Sequence, residues 1–146
     1  MKILLIHGPN LNILGKRDKK HYGCLTLNNI ELLVKQEAKK INCEVISFQS
    51  NHEGALIDFI QSNSELVSGI IINPGALTHY SYALHDALKD ADLPCVEVHL
   101  SNINSREPWR KISVTAPACV AQISGKKEKG YAEAIKILYD HAKNKT

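Results

Sequence analysis

The sequence predicts a three-layer α/β sandwich around a five-stranded parallel sheet of strand order 2-1-3-4-5. Apolar runs of strand length alternate with helical patterns along the chain, and no repeat or linker interrupts them. Such alternation is typical of a parallel sheet with helices on both faces. The runs are also continuously apolar, as strands buried on both faces tend to be. We therefore expect a single domain over residues 1–146.

The first half of the chain contains two strands and two helices in this prediction. Residues 3–6 are four consecutive apolar residues and form the first strand. Apolar residues then recur at helical spacing over 27–41, with Thr26 as N-cap. Residues 45–48 form the second strand, and the apolar positions of 55–60 mark the second helix.

The second half continues the same alternation. Residues 70–72 are three isoleucines and form a fully buried third strand. Apolar positions over 83–88 mark a third helix, which we expect to begin near Thr78. The remaining elements are strands at 95–100 and 118–123, a short helix at 107–111 within the irregular stretch 102–117, and a closing helix at 132–142.

Composition excludes several classes of function. The net charge of +3 is too small to indicate a nucleic-acid partner, but it suits a small anionic substrate. No apolar run is long enough to span a membrane or to form a signal peptide. The four cysteines form no C-x-x-C pair, which favours free thiols and a cytoplasmic location.

The usual cofactor signatures are missing. The chain has no P-loop and no G-x-G-x-x-G after the first strand, and no cluster of Cys and His proposes a metal site. We expect neither cofactor nor metal, so that side chains and backbone amides must supply the chemistry.

Polar side chains follow four of the predicted strands. In open parallel sheets, ligands bind beyond the carboxyl ends of the strands. Those ends carry amide, imidazole, hydroxyl and carboxylate groups in the segments 7–10, 49–53, 73–75 and 99–102. This pattern indicates a binding site at one edge of the sheet.

A polar segment bounded by glycines, residues 15–23, follows the first strand, and we call it the lid. Glycine at both ends would allow it to open and close. A tyrosine ionises near pH ~10 in water, but a neighbouring guanidinium favours the phenolate. Arg17 and Tyr22 could thus supply a general base, although an ordinary surface pair is the alternative.

Glu97 and His99 lie on one face of the fourth predicted strand, because side chains alternate along a strand. Two polar residues on one buried face must be paired. A carboxylate favours the protonated form of a neighbouring imidazole, so His99 could act as a general acid. A purely structural pair is the alternative.

Two further segments could bind an anion or hydroxyl groups. Arg106 and Arg110 share a face if they are helical, and otherwise they are ordinary surface charges. Backbone amides at the helix start near Thr78 and His79 could hold an anion. The alternative there is that Thr78 is a plain cap and His79 is solvated.

Together these segments resemble the type II dehydroquinase family, in order and spacing, from Met1 to about Tyr139. The matching segments are Gly-Pro-Asn-Leu-Asn at 8–12, Gly-x-Arg at 15–17, Tyr-Gly at 22–23, Phe-Gln-Ser-Asn-x-Glu-Gly at 48–54, Ile-Asn-Pro-Gly at 72–75, Thr-His at 78–79, Glu-Val-His-Leu-Ser-Asn at 97–102 and Arg-Glu-x-x-Arg at 106–110.

The resemblance implies a flavodoxin-like fold, a single catalytic domain and a dodecamer of four trimers. It also implies a cofactor-free anti elimination of water from 3-dehydroquinate, a small anionic cyclic hydroxy-acid, through an enolate to 3-dehydroshikimate, in the shikimate route or in quinate use. The implied roles are Tyr22 as base, Arg17 as its activator, His99 as acid, Asn10 as the residue that positions a water at the enolate, Asn73 with the backbone of Leu100 and Ser101 at the substrate carboxylate, His79 and Arg110 at ring hydroxyls, Asp86 reaching a neighbouring subunit's site, and Glu53 and Glu97 as supporting groups.

Three segments depart from the family pattern. The lid reads Asp-Lys-Lys-His at 18–21 where Glu and Pro are common, which bears on lid stiffness. Tyr80 and His85 replace Thr and Arg near the expected trimer contact, and residues 124–130 are unusually hydrophilic. Two other functions therefore stay open: a non-catalytic flavodoxin-like domain that binds a nucleotide or FMN, and an assembly module without turnover.

Overall fold

Strands and helices alternate along the computed structural model, which describes residues 1–144. The strands are β1 (Lys2–His7), β2 (Glu44–Gln49), β3 (Ile70–Asn73), β4 (Cys95–His99) and β5 (Ala121–Ser124). The α-helices are α1 (Lys19–Tyr22), α2 (Leu27–Lys39), α3 (Glu53–Asn63), α4 (Tyr82–Asp90) and α5 (Lys129–Asn144).

The predicted sheet is confirmed. All strand pairs are parallel, and the order is β2-β1-β3-β4-β5. One face of the sheet packs against α2 and α5, and the other packs against α3 and α4. The central strands β1 and β3 are almost entirely buried, which explains their unbroken apolar sequences. The chain is therefore the expected three-layer, flavodoxin-like sandwich.

The first long helix begins as predicted. The Thr26 hydroxyl accepts a hydrogen bond from the amide of Asn29 at 3.2 Å, and the Asn29 side chain accepts one from the Thr26 amide at 3.1 Å. This reciprocal pair gives a hydrogen-bond acceptor to two amides at the helix start that have none within the helix. No helix within residues 1–144 has the length and apolar character needed to cross a membrane.

The predicted start of the third helix near Thr78 was wrong. Residues Gly75–His79 form a 3-10 helix, and α4 begins only at Tyr82. Ser81 is the N-cap, and its hydroxyl accepts a hydrogen bond from the Leu84 amide at 3.0 Å. Thr78 lies inside the 3-10 helix, and its hydroxyl donates to a buried carboxylate, that of Glu97, at 2.8 Å.

The region between β4 and β5 also differs from the prediction. The fifth strand begins at Ala121 rather than at residue 118, because Ala116–Ala118 form a 3-10 turn around Pro117. Proline lacks the amide that a strand ladder requires. The short helix expected over 107–111 is a 3-10 helix, Pro108–Lys111, and Arg106 lies outside it in extended backbone.

Two loops at the carboxyl end of the sheet lie in direct contact. A Cβ atom on Gly8 would lie 2.2 Å from the carbonyl oxygen of Pro74, and one on Gly75 would lie 2.9 Å from that of Pro9. Only glycine fits such a close approach of two backbones. The contact brings the loop after β1 and the loop after β3 to one point, where the cavity described below is found.

Candidate active site

A cavity of about 120 Å³ lies at the carboxyl end of the sheet, between the lid and the loops that follow β1, β3 and β4. Most of the predicted site residues line it: Asn10, Arg17, Tyr22, Asn73, His79, His99, Leu100, Ser101 and Arg110. The lining also includes Pro9, Leu11, Gly75, Ala76, Ile103 and Arg106. The fold thus collects side chains from distant parts of the chain at the edge predicted for ligand binding.

Two guanidinium groups contact Tyr22, in different ways. The Arg17 guanidinium lies over the face of the ring, 3.7 Å from its centroid. Arg106 Nη1 donates a hydrogen bond to the Tyr22 hydroxyl at 2.9 Å. The sequence indicated Arg17 as the neighbour of Tyr22, and the structure places Arg106 at the phenol oxygen itself.

Arg106 is held from several sides. Nη1 also donates to the Ser101 hydroxyl at 3.1 Å, and Nε lies 3.7 Å from Glu107 Oε2. The same Glu107 oxygen accepts a hydrogen bond from Arg110 Nε at 2.6 Å. One exposed carboxylate therefore orients both arginines toward the cavity, although they do not share a helix.

Three arginines, Arg17, Arg106 and Arg110, give the cavity a strongly positive lining. Burial lowers the pKa of Arg17, the interaction with Tyr22 raises it, and the charges of Arg106 and Arg110 lower it further. Burial is the main cause of the net decrease, and the positive charges of the other two arginines add to it, so a bound anion would relieve part of it. The site therefore suits an anionic ligand, and planar guanidinium groups match carboxylate geometry.

His99 and Glu97 form the buried pair that strand alternation predicted. His99 Nε2 lies 3.0 Å from Glu97 Oε2, and both side chains are almost fully buried. Only His99 lines the cavity, and Glu97 lies behind it. This arrangement allows the imidazole to exchange a proton with a ligand while the carboxylate orients it.

Glu97 is surrounded by hydrogen-bond donors that the sequence did not indicate. The hydroxyls of Thr78, Ser113 and Thr115 contact its oxygens, and Gln122 Nε2 donates to Oε2 at 2.6 Å. Burial raises the pKa of Glu97, but hydrogen bonds from His99, Thr115 and Gln122 and the His99 charge outweigh it and lower the pKa to about 2. The carboxylate is therefore ionised at neutral pH.

His79 lies at the mouth of the cavity. Its Nδ1 donates a hydrogen bond to the Ile112 carbonyl at 2.7 Å, and its ring meets Trp109 edge to face with centroids 5.2 Å apart. Burial lowers the pKa of His79, and the nearby charges of His99 and Arg110 act in the same direction. A neutral ring whose Nδ1 is the donor leaves Nε2 free to accept a hydrogen bond from a ligand.

Asn73 is oriented by two neighbours. Its Oδ1 accepts a hydrogen bond from the Gly75 amide at 3.1 Å, and its Nδ2 donates to the Tyr131 hydroxyl at 3.4 Å. Burial raises the pKa of Tyr131 to about 12, despite the Asn73 hydrogen bond, which lowers it. Tyr131 thus stays protonated at neutral pH and cannot compete with Tyr22 as a base.

Asn10 adopts a left-handed backbone conformation, with φ of 69°. Its amide donates to Asn51 Oδ1 at 2.9 Å, so that the loop after β2 supports the loop after β1. Asparagine adopts the left-handed region of backbone angles more readily than most residues do. Such strained conformations are common at functional sites.

Three predicted site residues lie outside the cavity lining. Glu97 stands behind His99, as described above. Glu53 Oε2 accepts a hydrogen bond from the Ser81 hydroxyl at 2.5 Å and so joins the starts of α3 and α4. Asp86 is exposed on α4. Within residues 1–144, no group of three or more His, Cys, Asp or Glu side chains could hold a metal ion.

The arrangement combines a phenol beside cationic groups, an imidazole paired with an ionised carboxylate, and several donors for oxyanions. These are the groups needed to remove a proton next to a carbonyl and to protonate a departing hydroxyl.

Comparison with known proteins agrees with this chemistry. Residues 1–139 match the family described as dehydroquinase class II. The chain is 54% identical to a 3-dehydroquinate dehydratase of Clostridium perfringens over 146 residues, which covers 99% of this chain and 100% of that protein. A 3-dehydroquinate dehydratase of Caldicellulosiruptor saccharolyticus is 53% identical over 138 residues, or 94% of this chain and 95% of that protein.

A solved structure is also similar. The type II dehydroquinase of Butyrivibrio crossotus superposes with a TM-score of 0.93 at 50% sequence identity, over 95% of this chain and 97% of that one. The similarity therefore extends over nearly the whole chain.

Proposed function

The chain belongs to the class II dehydroquinase family and is a 3-dehydroquinate dehydratase, a hydro-lyase, and we propose which of its residues carry out the reaction. The observation that carries the assignment is the placement of two groups in one cavity. One is the Tyr22 phenol, which contacts two guanidinium groups, and the other is His99, which is paired with an ionised carboxylate.

Tyr22 is the general base in this proposal. As phenolate, its oxygen removes a proton from the ring carbon beside the substrate ketone. The hydrogen bond from Arg106 at 2.9 Å and the Arg17 guanidinium at 3.7 Å from the ring centroid both favour the negative charge. The electron pair left on carbon moves to the ketone oxygen, which gives an enolate, and Asn10 would position a water that stabilises it.

His99 is the general acid. Its ionised partner Glu97 lies 3.0 Å from Nε2 and orients the imidazole, which donates a proton to the departing hydroxyl group. Collapse of the enolate then expels that hydroxyl as water in an anti elimination and leaves 3-dehydroshikimate. Glu97 acts through His99, and Glu53 supports the site from the start of α3.

The remaining cavity residues bind the substrate. We assign the carboxylate to Asn73 and to the backbone of Leu100 and Ser101, and the ring hydroxyls to His79 and Arg110. The fixed carboxamide of Asn73 and the positive lining support this orientation. We also propose that residues 1–146 are a single catalytic domain that works in the shikimate pathway, without cofactor or metal. The free cysteines support a cytoplasmic location.

An oligomer is part of the same proposal. Large apolar side chains are exposed close to the cavity, including Tyr80 at 63%, Trp109 at 51% and Ile112 at 64%. Exposed apolar groups of this size favour an interface. Asp86 lies outside its own cavity and is exposed, so it is available to a neighbouring subunit's site. These features support an interface with a neighbouring subunit, and we propose the dodecamer of four trimers that the family resemblance implies.

Turnover of the purified protein tests the function. We expect added 3-dehydroquinate to give an enone that absorbs in the near ultraviolet, at an undiminished rate after prolonged treatment with a chelator. Sedimentation of the same sample should give an oligomer. A sedimenting oligomer without turnover at any pH would favour the assembly module instead, and a yellow protein without turnover would favour a flavin-binding domain.

Arg106 offers a test of how Tyr22 is activated. Arg106→Met should lower kcat about 10- to 100-fold, because a charge-assisted hydrogen bond to the phenolate is worth roughly 1.5–3 kcal/mol.

Arg110→Met is the matched control, because Arg110 lines the same cavity and makes no contact with Tyr22. It should raise KM and leave kcat close to the wild-type value. If both variants lower kcat equally, the effect is one of general charge, and Arg106 has no special role at the phenol.

A further inference from the structure

The lid contains too little regular structure to hold its own conformation. It spans residues 15–23, and Gly15 and Gly23 at its ends have φ values of 95° and 76°. Its helix α1 has only four residues and is capped by Asp18, whose side chain accepts a hydrogen bond from the Lys20 amide at 2.9 Å. A single helical turn is not stable alone in water. Contacts outside the lid must therefore hold Tyr22 over the cavity.

One such contact comes from the loop between β5 and α5. Lys127 Nζ donates a hydrogen bond to the Lys20 carbonyl at 2.5 Å. This carbonyl belongs to the last turn of α1, where helix carbonyls lack partners and a positive charge is favourable. Lys127 Cδ also lies 3.9 Å from the position that a Cβ atom on Gly23 would occupy, so the aliphatic stem runs beside the lid.

The backbone of Lys127 is anchored at the cavity. Its amide donates to the Leu100 carbonyl at 3.2 Å, and the Gly125 amide donates to the Ser101 carbonyl at 3.0 Å. Leu100 and Ser101 line the cavity. One residue therefore links the lid that carries the proposed base to the strand end proposed to hold the substrate carboxylate.

Lys127 has a left-handed backbone, with φ of 52°. A residue with a side chain is unfavourable in this region, and glycine would adopt it at little cost. The position thus carries a side chain despite a local energetic penalty. Substitution by glycine would therefore have two opposite effects. It would relieve the strained backbone at residue 127, and it would remove the side chain that contacts the lid.

We infer that Lys127 is a positioning residue, which latches the lid through the Lys20 carbonyl and so keeps Tyr22 over the cavity. The catalytic consequence rests on the proposed role of Tyr22, whereas the latch itself does not. The neighbouring Lys126 takes no part, because its ammonium group bonds Glu133 Oε2 at 2.5 Å.

The test compares Lys127→Met, which keeps most of the stem, with Lys127→Gly, which also relieves the backbone. Both should lower kcat/KM about three- to tenfold, the effect of one partly exposed charged hydrogen bond. Lys127→Gly should melt at the same temperature as the wild type or higher, because the left-handed residue is then glycine. Lys126→Met is the matched control and should keep wild-type kinetics.

Hydrogen exchange without substrate measures the lid directly. The amides of Tyr22 and Gly23 donate within the lid to Asp18 and Lys19, so their exchange reports lid opening. Exchange at these amides, and trypsin cleavage after Lys19 and Lys20, should be several-fold faster in both Lys127 variants and unchanged in Lys126→Met. Wild-type exchange in both Lys127 variants would overturn the inference, and so would a kinetic loss seen only in a variant with lowered thermal stability.

These measurements separate the two proposals. If the wild-type protein turned over no 3-dehydroquinate, the catalytic assignment would fail, but the exchange comparison would still decide whether Lys127 latches the lid.

Discussion

Tyr22→Phe is expected to lower kcat about 1000-fold or more and to change substrate affinity only a few-fold. The substitution removes one oxygen atom, which is the proposed proton acceptor, and general-base catalysis contributes roughly 10²- to 10⁴-fold. The ring remains, so the stacking of Arg17 at 3.7 Å from its centroid and the shape of the lid are retained. Steady-state kinetics would give kcat, and equilibrium binding of an unreactive substrate analogue would give the affinity.

A second tyrosine provides the control. Tyr139 lies on α5, outside the cavity lining, and Tyr139→Phe should keep wild-type kcat and KM. Tyr131 is not suitable as a control, because its hydroxyl accepts the hydrogen bond that orients Asn73. A Tyr22→Phe enzyme with normal turnover would mean that another group removes the proton.

Acid should destabilise the protein through Glu97. The folded-state pKa of about 2 lies below the ordinary value of 4.5, so this carboxylate stabilises the fold fully above pH 4.5. That contribution is lost as the pH falls from 4.5 toward 2, because the unfolded chain takes up the proton first. At about 1.4 kcal/mol per pKa unit, the loss amounts to about 3 kcal/mol. Unfolding midpoints in urea between pH 7 and pH 2.5 would measure it.

Glu97→Gln should remove most of this acid dependence. It should also lower the unfolding free energy at pH 7 by about 3–5 kcal/mol, the usual cost of breaking a buried charge pair. The amide has nearly the same shape, but its NH₂ group faces a donor in either orientation, Thr115 at the Oε1 position or Gln122 at the Oε2 position. Since His99 loses its negative partner, kcat should fall as well.

Glu44→Gln is the matched control for stability. Glu44 is exposed and pairs with Lys2 at 3.4 Å, and an exposed ion pair is worth less than about 1 kcal/mol. The acid dependence should survive this change. If Glu97→Gln unfolded with the wild-type pH dependence, Glu97 would not be the group that titrates.

The sequence determined the parallel sheet between two helical layers and the location of the site. Strands that are apolar on both faces must be buried between two layers of helices. The loops that follow parallel strands then all lie at the carboxyl edge of the sheet. Local spacing also predicted the Glu97–His99 pair, because alternation along a strand is independent of the rest of the fold. The lid was evident from its glycines and from Arg17 and Tyr22 within a few residues of each other.

Other contacts depended on tertiary structure. Arg106 reaches the Tyr22 hydroxyl across 84 positions of sequence, and Lys127 reaches the Lys20 carbonyl across 107. Both donors lie in loops, where no periodicity relates a residue number to a direction in space. The donors around Glu97 follow the same rule, since Ser113 and Thr115 approach it from the irregular segment before β5. Periodic patterns define which face a side chain occupies, whereas the path of a loop is decided only when the whole chain packs.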